Sequence, residues 1–542
     1  MQRCYQKDEG KMVKRLLQKT RLLGKNSKNV LPVSLEQTES KKLSKSLEKN
    51  LIKLKETFSG NSDVIFREFN IGVHNECVPA VIIFIDGMVN INIVNENIIK
   101  ALMVDVRIAE SIPLNGKKDL IAEIEKYALS AADSKEVNNS EEIIEGILSG
   151  DTILLVDGYD VSLKISARGW ESRGVTESNT EAVVRGPREG YTETLRTNTV
   201  LLRRKIKSKD LIFEGMKIGR FTKTDVCIAY IRGIANEKIV DELKKRLSKI
   251  DIDGILESGY IEAFIEDSPF SIFPTIGNTE KPDITAAKLL EGRVAIFTDG
   301  TPIVLTLPYL FVETIQNSED YYSRPWHITF IRWIRFSALI STVFLPAIYI
   351  AGQSYHHEMI PTSLLITMAA AREGIPFPVL VEIIIMAIIF EVLREAGVRM
   401  PKPVGQAVSI VGALVLGEAA VSAGIVSAPA VIVIAFTGIS GFLIYSQNDS
   451  ITIMRFFFIF LAGFAGLFGI LLGVIFVLIH MAGLRSFGVP YLAPIATGTV
   501  GDLKDVVIRV PLWMMRNRPS MMGSKNIERL GAQGMPKPPK DE

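Results

Sequence analysis

Three carboxylates, Glu382, Glu391 and Glu418, stand inside long apolar runs between Phe330 and Leu484. A charge at mid-bilayer costs about 2.5–3.5 kcal/mol on insertion scales, so an acid in such a run faces water or a partner. A ring of carboxylates attracts cations across a low-dielectric barrier, and assembly of identical chains turns one residue into a ring. Glu382 and Glu418 are candidates for lining a pore or vestibule. The alternative is that they are protonated or hydrogen-bonded between helices. Glu391 stands near a helix end, where Arg394 can pair with it.

Other reactive residue types have plainer explanations. His356, His357 and Glu358 form a polar turn, but a metal would need more ligands than the local sequence supplies. Asp157 and Asp299 suggest an acid/base pair, yet each precedes glycine in a β-rich run, and a tight hairpin turn needs positive φ. The three cysteines, Cys4, Cys77 and Cys227, are too widely spaced for a disulfide framework or a zinc site. No nucleophile–base constellation, Walker spacing or dinucleotide glycine pattern is present, so the residues imply no enzyme and no cofactor. The net charge of +2 gives no argument for nucleic acid.

The acids need a membrane domain to hold them. About 20 apolar residues cross the hydrocarbon as a helix, and runs such as Phe336 to Gly352 and Phe456 to Met481 approach or exceed that length. Further spans are expected over Val379 to Leu393, Val404 to Gly424 and Pro429 to Tyr445, with a short helix on or partly in the membrane over Pro361 to Ala371. Arg324, Arg332 and Arg335 interleave with Trp326, Phe330 and Trp333 in an interfacial segment leading into the first span. Gly463, Gly466, Gly469 and Gly473 give the last run a smooth face for close helix packing.

The preceding chain reads as a soluble α/β half. Residues 1–59 are a basic tail and a short helix, Lys42 to Phe58. A strand over Pro79 to Ile85 ends at Asp86-Gly87, helical sequence begins at Asn90, and helix-like sequence resumes over Lys118 to Ala132. A hairpin straddles Asp157-Gly158. The pattern recurs: Val226 to Ile231 with Gly233 and Asn236 repeats Val81 to Ile85 with Gly87 and Asn90, and Asp299-Gly300 repeats Asp157-Gly158. Two related α/β subdomains are therefore expected, 60–167 and 222–317, as an internal duplication. Between them, residues 168–221 carry alternating Arg and Glu. These read as an extended, solvated linker carrying ion pairs, either within itself or to a neighbouring subunit, with Arg173, Arg185, Arg188, Arg196, Arg203 and Arg204 as candidate contacts for the latter. The helical membrane domain then occupies 318–484, and a basic tail, 485–542, has nine Lys or Arg against five acids.

The charged stretch also carries a resemblance. Glu171-Ser172-Arg173-Gly174, Glu177-Ser178-Asn179-Thr180-Glu181, Arg185-Gly186-Pro187-Arg188-Glu189-Gly190 and Arg196-Thr197-Asn198 resemble the GerA-type spore germination receptors, A subunit. So do Asp299-Gly300-Thr301-Pro302, Glu319-Asp320-Tyr321-Tyr322, Glu373-Gly374-Ile375-Pro376-Phe377-Pro378, Glu391-Val392-Leu393-Arg394-Glu395-Ala396-Gly397 and Gly412-Ala413-Leu414-Val415-Leu416-Gly417. The match runs over about residues 60–490. That family includes a paralogous channel-like branch, and the Asp-Gly-Thr-Pro segment looks more like the receptor branch. The resemblance implies a multi-pass protein of the spore inner membrane that works with a transporter-like B subunit and a lipoprotein C subunit. It further implies that the A subunit oligomerises into an ion-conducting path.

A second class, a secondary transporter with a regulatory cytoplasmic domain, would be expected to show inverted repeats among its spans, and the sequence displays none. Met1 to Lys19 lacks the apolar core of a signal peptide, so the first 320 residues are expected in the cytoplasm. Arg394, Arg399 and Lys402 mark a cytoplasmic loop. Five crossings would then leave the basic tail outside, against the positive-inside rule. Either one apolar run is re-entrant, or Phe456 to Met481 bends and returns.

Overall fold

The computed structural model describes residues 42–73, 76–105, 121, 124, 134–169, 181, 183–399, 417–444, 447–496, 501–523 and 525–531. It consists of an α/β half with two sheets, then a helical half.

The first unit opens with α1 (Leu47–Thr57), whose Leu47 and Leu54 are buried while Glu48 and Lys55 lie near its ends. β1 (Val64–Val73) and β2 (Glu76–Ile85) come next, then a helical segment, Ile93–Asp105, β3 (Ser134–Val137), α2 (Ser140–Leu148), β4 (Thr152–Val156) and β5 (Ser162–Ile165). The expected helix over Lys118 to Ala132 lies outside the described residues except for Ile121 and Ile124. The second unit comprises α3 (Leu195–Lys205), β6 (Leu211–Ile218), β7 (Thr224–Ile231), α4 (Glu237–Leu247), α5 (Ser258–Ile265), β8 (Gly277–Thr279), α6 (Pro282–Leu290), β9 (Val294–Thr298) and β10 (Val304–Leu307).

The two sheets have one design. Their strand orders are β1-β2-β4-β5-β3 and β6-β7-β9-β10-β8, with neighbouring strands antiparallel throughout. β4 and β9 are buried at every position, so both faces of each sheet are covered. α4 shows how a polar helix is recruited to that cover. Ile239, Val240, Leu243 and Leu247 form one buried stripe, Asn236 caps its start, and Lys244, Lys245 and Arg246 face the negative end of its dipole. Each fully buried Ile or Leu contributes about 1.5–3 kcal/mol.

Residues 168–221 are not the extended linker expected from their charges. α3 and β6 lie within them, and the boundary at 221 falls inside the β6–β7 hairpin. Val200, Leu201 and Leu202 supply a buried apolar stripe on α3 that outweighs the charges around it.

The helical half contains α7 (Pro325–Ser354), α8 (Thr362–Ala370), α9 (Val379–Arg399), α10 (Gly417–Ser422), α11 (Ala428–Gly441) and α12 (Asn448–Gly483). Among the described residues, α7 and α12 are long and apolar enough to cross a membrane. The expected third span, Val404 to Gly424, lies mostly outside the described residues. After α12 a small ribbon, β11 (Arg485–Ser486) and β12 (Val489–Pro490), leads the chain back over the second unit.

Candidate functional site

Asp157 and Asp299 are helix caps as well as turn residues. The carboxylate of Asp157 accepts from the Leu47 N–H at 3.0 Å, and that of Asp299 from the Leu195 N–H at 3.0 Å. The glycines after them, Gly158 and Gly300, have φ of +88° and +89°, which glycine adopts without steric cost. Each hairpin therefore locks the start of the helix that opens its own unit. The repeat also begins further upstream than its strands suggest. Asn50 accepts from Ser44 N–H at 3.0 Å, and Asn198 accepts from Thr192 N–H at 2.7 Å; each amide donates to the same partner's carbonyl at 2.6 Å. The shared signature is Ser/Thr-x-Ser/Thr-Leu-x-x-Asn, beginning at Ser44 and at Thr192. That signal is present in the sequence, but the charges of α3 obscure it.

The arginines expected to reach a neighbouring subunit divide into two groups. Arg203 is fully buried within this chain, correcting its assignment as a subunit contact. It holds Asp63 of the first unit through two bonds, 2.9 and 3.0 Å, donates to Asn61 at 2.8 Å, and stacks 5.0 Å from the Phe213 ring. Arg196 pairs with Asp86 at 3.0 Å and Arg204 with Glu189 at 3.3 Å, both half-exposed. Arg203 and Arg196 stitch the seam between the units, and the Arg204 pair braces the second unit beside it. Arg185 and Arg188 are exposed, and Arg173 lies outside the described residues.

A cleft of about 630 Å³ opens along the same seam. Asp86, Asn90, Asn92 and Gly169 line it from the first unit, and Glu189, Thr194, Arg196 and Arg204 from the other side. Close approach is built in: a Cβ on Gly87 would lie 2.8 Å from the Arg196 side chain. Charges of both signs, two amides and a hydroxyl in one recess suit a small polar molecule.

At the other end of the α/β half a charged junction meets the helices. Arg332 is buried; its Nε donates to Asp320 at 2.8 Å and its Nη1 to Asp505 at 2.9 Å. Arg335 joins Asp320 at 2.8 Å. Tyr321 donates to Asp505 at 2.6 Å, and burial with that carboxylate pushes its hydroxyl pKa well up. Burial opposes ionisation of Glu313, but Arg293 and Lys288 beside it outweigh this and hold its pKa below the usual range. The expected interfacial segment thus has two faces: Arg332 and Arg335 bind the junction, while Trp326, Phe330 and Trp333 are exposed.

Among the intramembrane candidates, Glu382 is enclosed. It accepts from the backbone N–H and the hydroxyl of Ser427 at 2.5 Å each, and Arg372 stands 3.6 Å from its other oxygen. Within one chain it ties α9 to the start of α11, the hydrogen-bonded alternative. Glu391 pairs with Arg394 at 2.6 Å and with the buried Arg455 of α12 at 2.9 Å. Glu418 is exposed on α10. The structure does not bring the three acids together.

α12 is not one straight helix. Its 36 residues break at Gly466, where φ is 59° and ψ is −141°. The first arm starts with Ser450 donating to the Ile272 carbonyl, and the second ends with His480 Nε2 at 3.1 Å from Ser271 Oγ. Both ends therefore touch the α/β half. The break sits at the far end of α7: a Cβ on Gly466 would lie 2.9 Å from the His356 ring, and Tyr355 donates to the Gly463 carbonyl at 2.6 Å. Gly469 and Gly473 face Leu461 and Phe458 of the first arm, so the glycines let the arms close on each other. Of the two arrangements left open by the sequence, this run bends and returns. Among the described residues no group of acids, histidines and cysteines is placed to hold a metal.

The model of the family described as Bacillus/Clostridium GerA spore germination protein matches residues 52–521. The chain is similar to spore germination protein KA of Bacillus subtilis (strain 168), 43% identical over 92% of this chain and 90% of that one. It is also similar to YfkQ of the same organism, an uncharacterized membrane protein, 43% identical over 94% and 97%. Spore germination protein GerLA of Bacillus cereus is 42% identical over 73% of this chain and 81% of its own. Among solved structures, the N-terminal domain of the A subunit of the Bacillus megaterium spore germinant receptor GerK3 is 39% identical, covering 50% of this chain and 98% of that one, with a TM-score of 0.40.

Proposed function

The chain belongs to the GerA family of spore germination proteins, and on that premise we propose that it is the A subunit of a nutrient-responsive germination receptor. Its helical half crosses the spore inner membrane and, on assembly with further copies, encloses a gated path for cations. A transporter-like B subunit and a lipoprotein C subunit complete the receptor, and the α/β half lies on the core side. The two units, about 42–169 and 183–317, are products of one duplication.

The observation that carries this reading is the physical union of the halves. The α12 hairpin begins and ends on the second α/β unit, and the tail is buried against that unit and the start of α7. A change in the α/β half is thereby delivered to three apolar segments at once. The folded-back hairpin also supports placing the tail with the α/β half. Because α12 begins and ends on the second α/β unit, its two arms add one crossing each way and keep the basic tail on that side, as the positive-inside rule requires.

We assign the cation path to Glu418, the exposed carboxylate, and assign Glu382 to holding helices together. Arg185 and Arg188 are the candidate contacts with a neighbouring chain. The full chain, reconstituted with its partner subunits under matched ion gradients, should conduct cations. Glu418→Gln should lower conductance or shift the reversal potential while inserting normally. Unchanged conductance for Gln, with assembly lost only for Glu418→Leu, would remove Glu418 from the path. A monomer that moves solute without conductance would favour the transporter.

The cleft supports a second role for the same chain, recognition of a small polar nutrient at the seam between its units. Nutrient-dependent shifts in the thermal transition of the full chain, lost in Asn90→Leu, would support it. An unchanged transition at saturating nutrient would leave recognition to another subunit.

A further inference from the structure

We propose that the Pro269–Phe270 turn of the second α/β unit is a bilayer anchor, a loop tip seated at the boundary between lipid headgroups and acyl chains. The inference rests on the reading that α7 and the α12 hairpin cross a bilayer. Phe270 is fully exposed, at 101% of its reference surface, so none of the described residues covers its ring. The turn that presents it is closed by Ser271 N–H donating to the Ser268 carbonyl at 2.9 Å.

The three residues after Phe270 fix the level of this turn. Ser271 meets His480 near the end of the second arm, the Ile272 carbonyl accepts from Ser450 near the start of the first, and Phe273 is buried with Met481, Leu484 and Tyr491. Phe270 is therefore within a few residues of the plane at which both arms leave the apolar layer. Arg485, exposed just past the second arm, supplies a cation at the same height, where anionic headgroups lie.

The acids flanking the turn are held inside the chain rather than directed at the bilayer. Glu266 accepts from Thr275 N–H and Oγ1 at 2.9 and 3.0 Å. Asp267 pairs with Arg246 at 2.6 Å and accepts from Phe487 N–H at 2.5 Å. The bilayer is the occupant favoured over a second copy. A specific contact between proteins buries about 1,000 Å² or more, whereas this feature is a two-residue protrusion beside an apolar helix end. Exposed aromatics at such a height are the usual interfacial anchors of membrane proteins. Anchoring this turn would hold the second unit at a fixed height over the hairpin whose ends it grips.

The test uses the full chain in liposomes containing anionic lipid, with its three cysteines replaced and one spin label introduced at a time. Phe464→Cys lies on the exposed face of the hairpin near its break and reports the membrane. Phe221→Cys lies exposed at the β6–β7 turn, at the opposite end of the sheet from Tyr309 and the hairpin, and reports water. Labels at Phe464 and Phe270 should relax several-fold more with oxygen than with an aqueous nickel chelate, and the Phe221 label should show the reverse. A lipid-like Phe464 label with a water-like Phe270 label overturns the anchor while sparing the membrane reading. A water-like Phe464 label overturns the membrane reading itself. A Phe270 label shielded from both reagents, with dipolar broadening that disappears on dilution with unlabelled chain, assigns the turn to a second copy and overturns the anchor.

Discussion

Arg203 shows how one buried ion pair can be mistaken for an exposed one. Its partner Asp63 is 140 residues upstream, and the pair is fully enclosed by Asn61, Phe213 and α3. Removing one member of a buried pair strands the other charge and costs about 3–5 kcal/mol. Arg203→Ala should therefore lower the thermal transition of the full chain markedly. Arg196→Ala and Arg204→Ala, which break half-exposed pairs, should each cost under about 1 kcal/mol. Equal melting shifts for all three would contradict the buried seam. Glu262 on α5 supplies a pH test. Burial, with Glu266 and Glu257 nearby, raises its pKa from 4.5 to about 7. The folded chain then holds a proton that the unfolded chain has released, so this contribution is full below about pH 4.5 and is lost as pH rises towards 7. The loss is on the order of 3 kcal/mol. Glu262→Gln should raise the melting temperature at pH 8 and leave it nearly unchanged at pH 4.5. An equal gain at both values would assign the effect to packing.

The elements that were legible in the sequence are those whose signal is local. Asp-Gly steps between β-branched residues mark hairpins because the turn needs positive φ, and β4–β5 and β9–β10 form there. The caps at Asn90 and Asn236 arise from the same short-range chemistry. α3 was hidden because Arg196, Arg203, Arg204 and Lys205 read as a solvated face, although Asp86 and Asp63, the partners of the first two, come from the other unit. Glu382 was left open between two roles for a similar reason: its donor, Ser427, is 45 residues away at the start of another helix. The bend of α12 was readable only as a charge conflict at the tail, since glycines every three or four residues fit packing and bending alike. Gly466 distinguishes them. Its backbone lies in a region open essentially to glycine alone, where strain is on the order of 1–3 kcal/mol for other residues. Gly466→Ala should destabilise the hairpin by about that amount, whereas Gly483→Ala, whose Cβ would meet no neighbour, should not. Proteolysis of the purified chain from the His356 side would read the difference. Equal resistance in both variants would mean that the arms do not turn at Gly466.

At the scale of the whole molecule, the tail is a strap between halves that, among the described residues, also meet at the junction and the hairpin ends. Phe487 and Val489 join the core of the second unit, Asp505 joins Arg332 at the start of α7, and Arg518 donates to the Leu290 carbonyl at 2.7 Å. Asp505 is the key group because it accepts from Arg332 and Tyr321 together, while its own carbonyl accepts from Gln316 at 2.6 Å. Replacing it by Arg sets a second cation against Arg332 and leaves the Tyr321 hydroxyl without its acceptor. The sheets themselves should survive, because neither contains this residue. Asp505→Arg should therefore leave β6, β7 and β9 protected from hydrogen exchange. Residues 501–523 should lose protection, and the nutrient response of the assembled receptor should fall at least tenfold. Lys525→Ala supplies the control, since its pair with Glu237 is solvent-exposed and worth under about 1 kcal/mol. Lost protection throughout the second unit would make Asp505 a folding residue. A freed strap with an undiminished response would show that the hairpin ends alone carry the signal into the membrane.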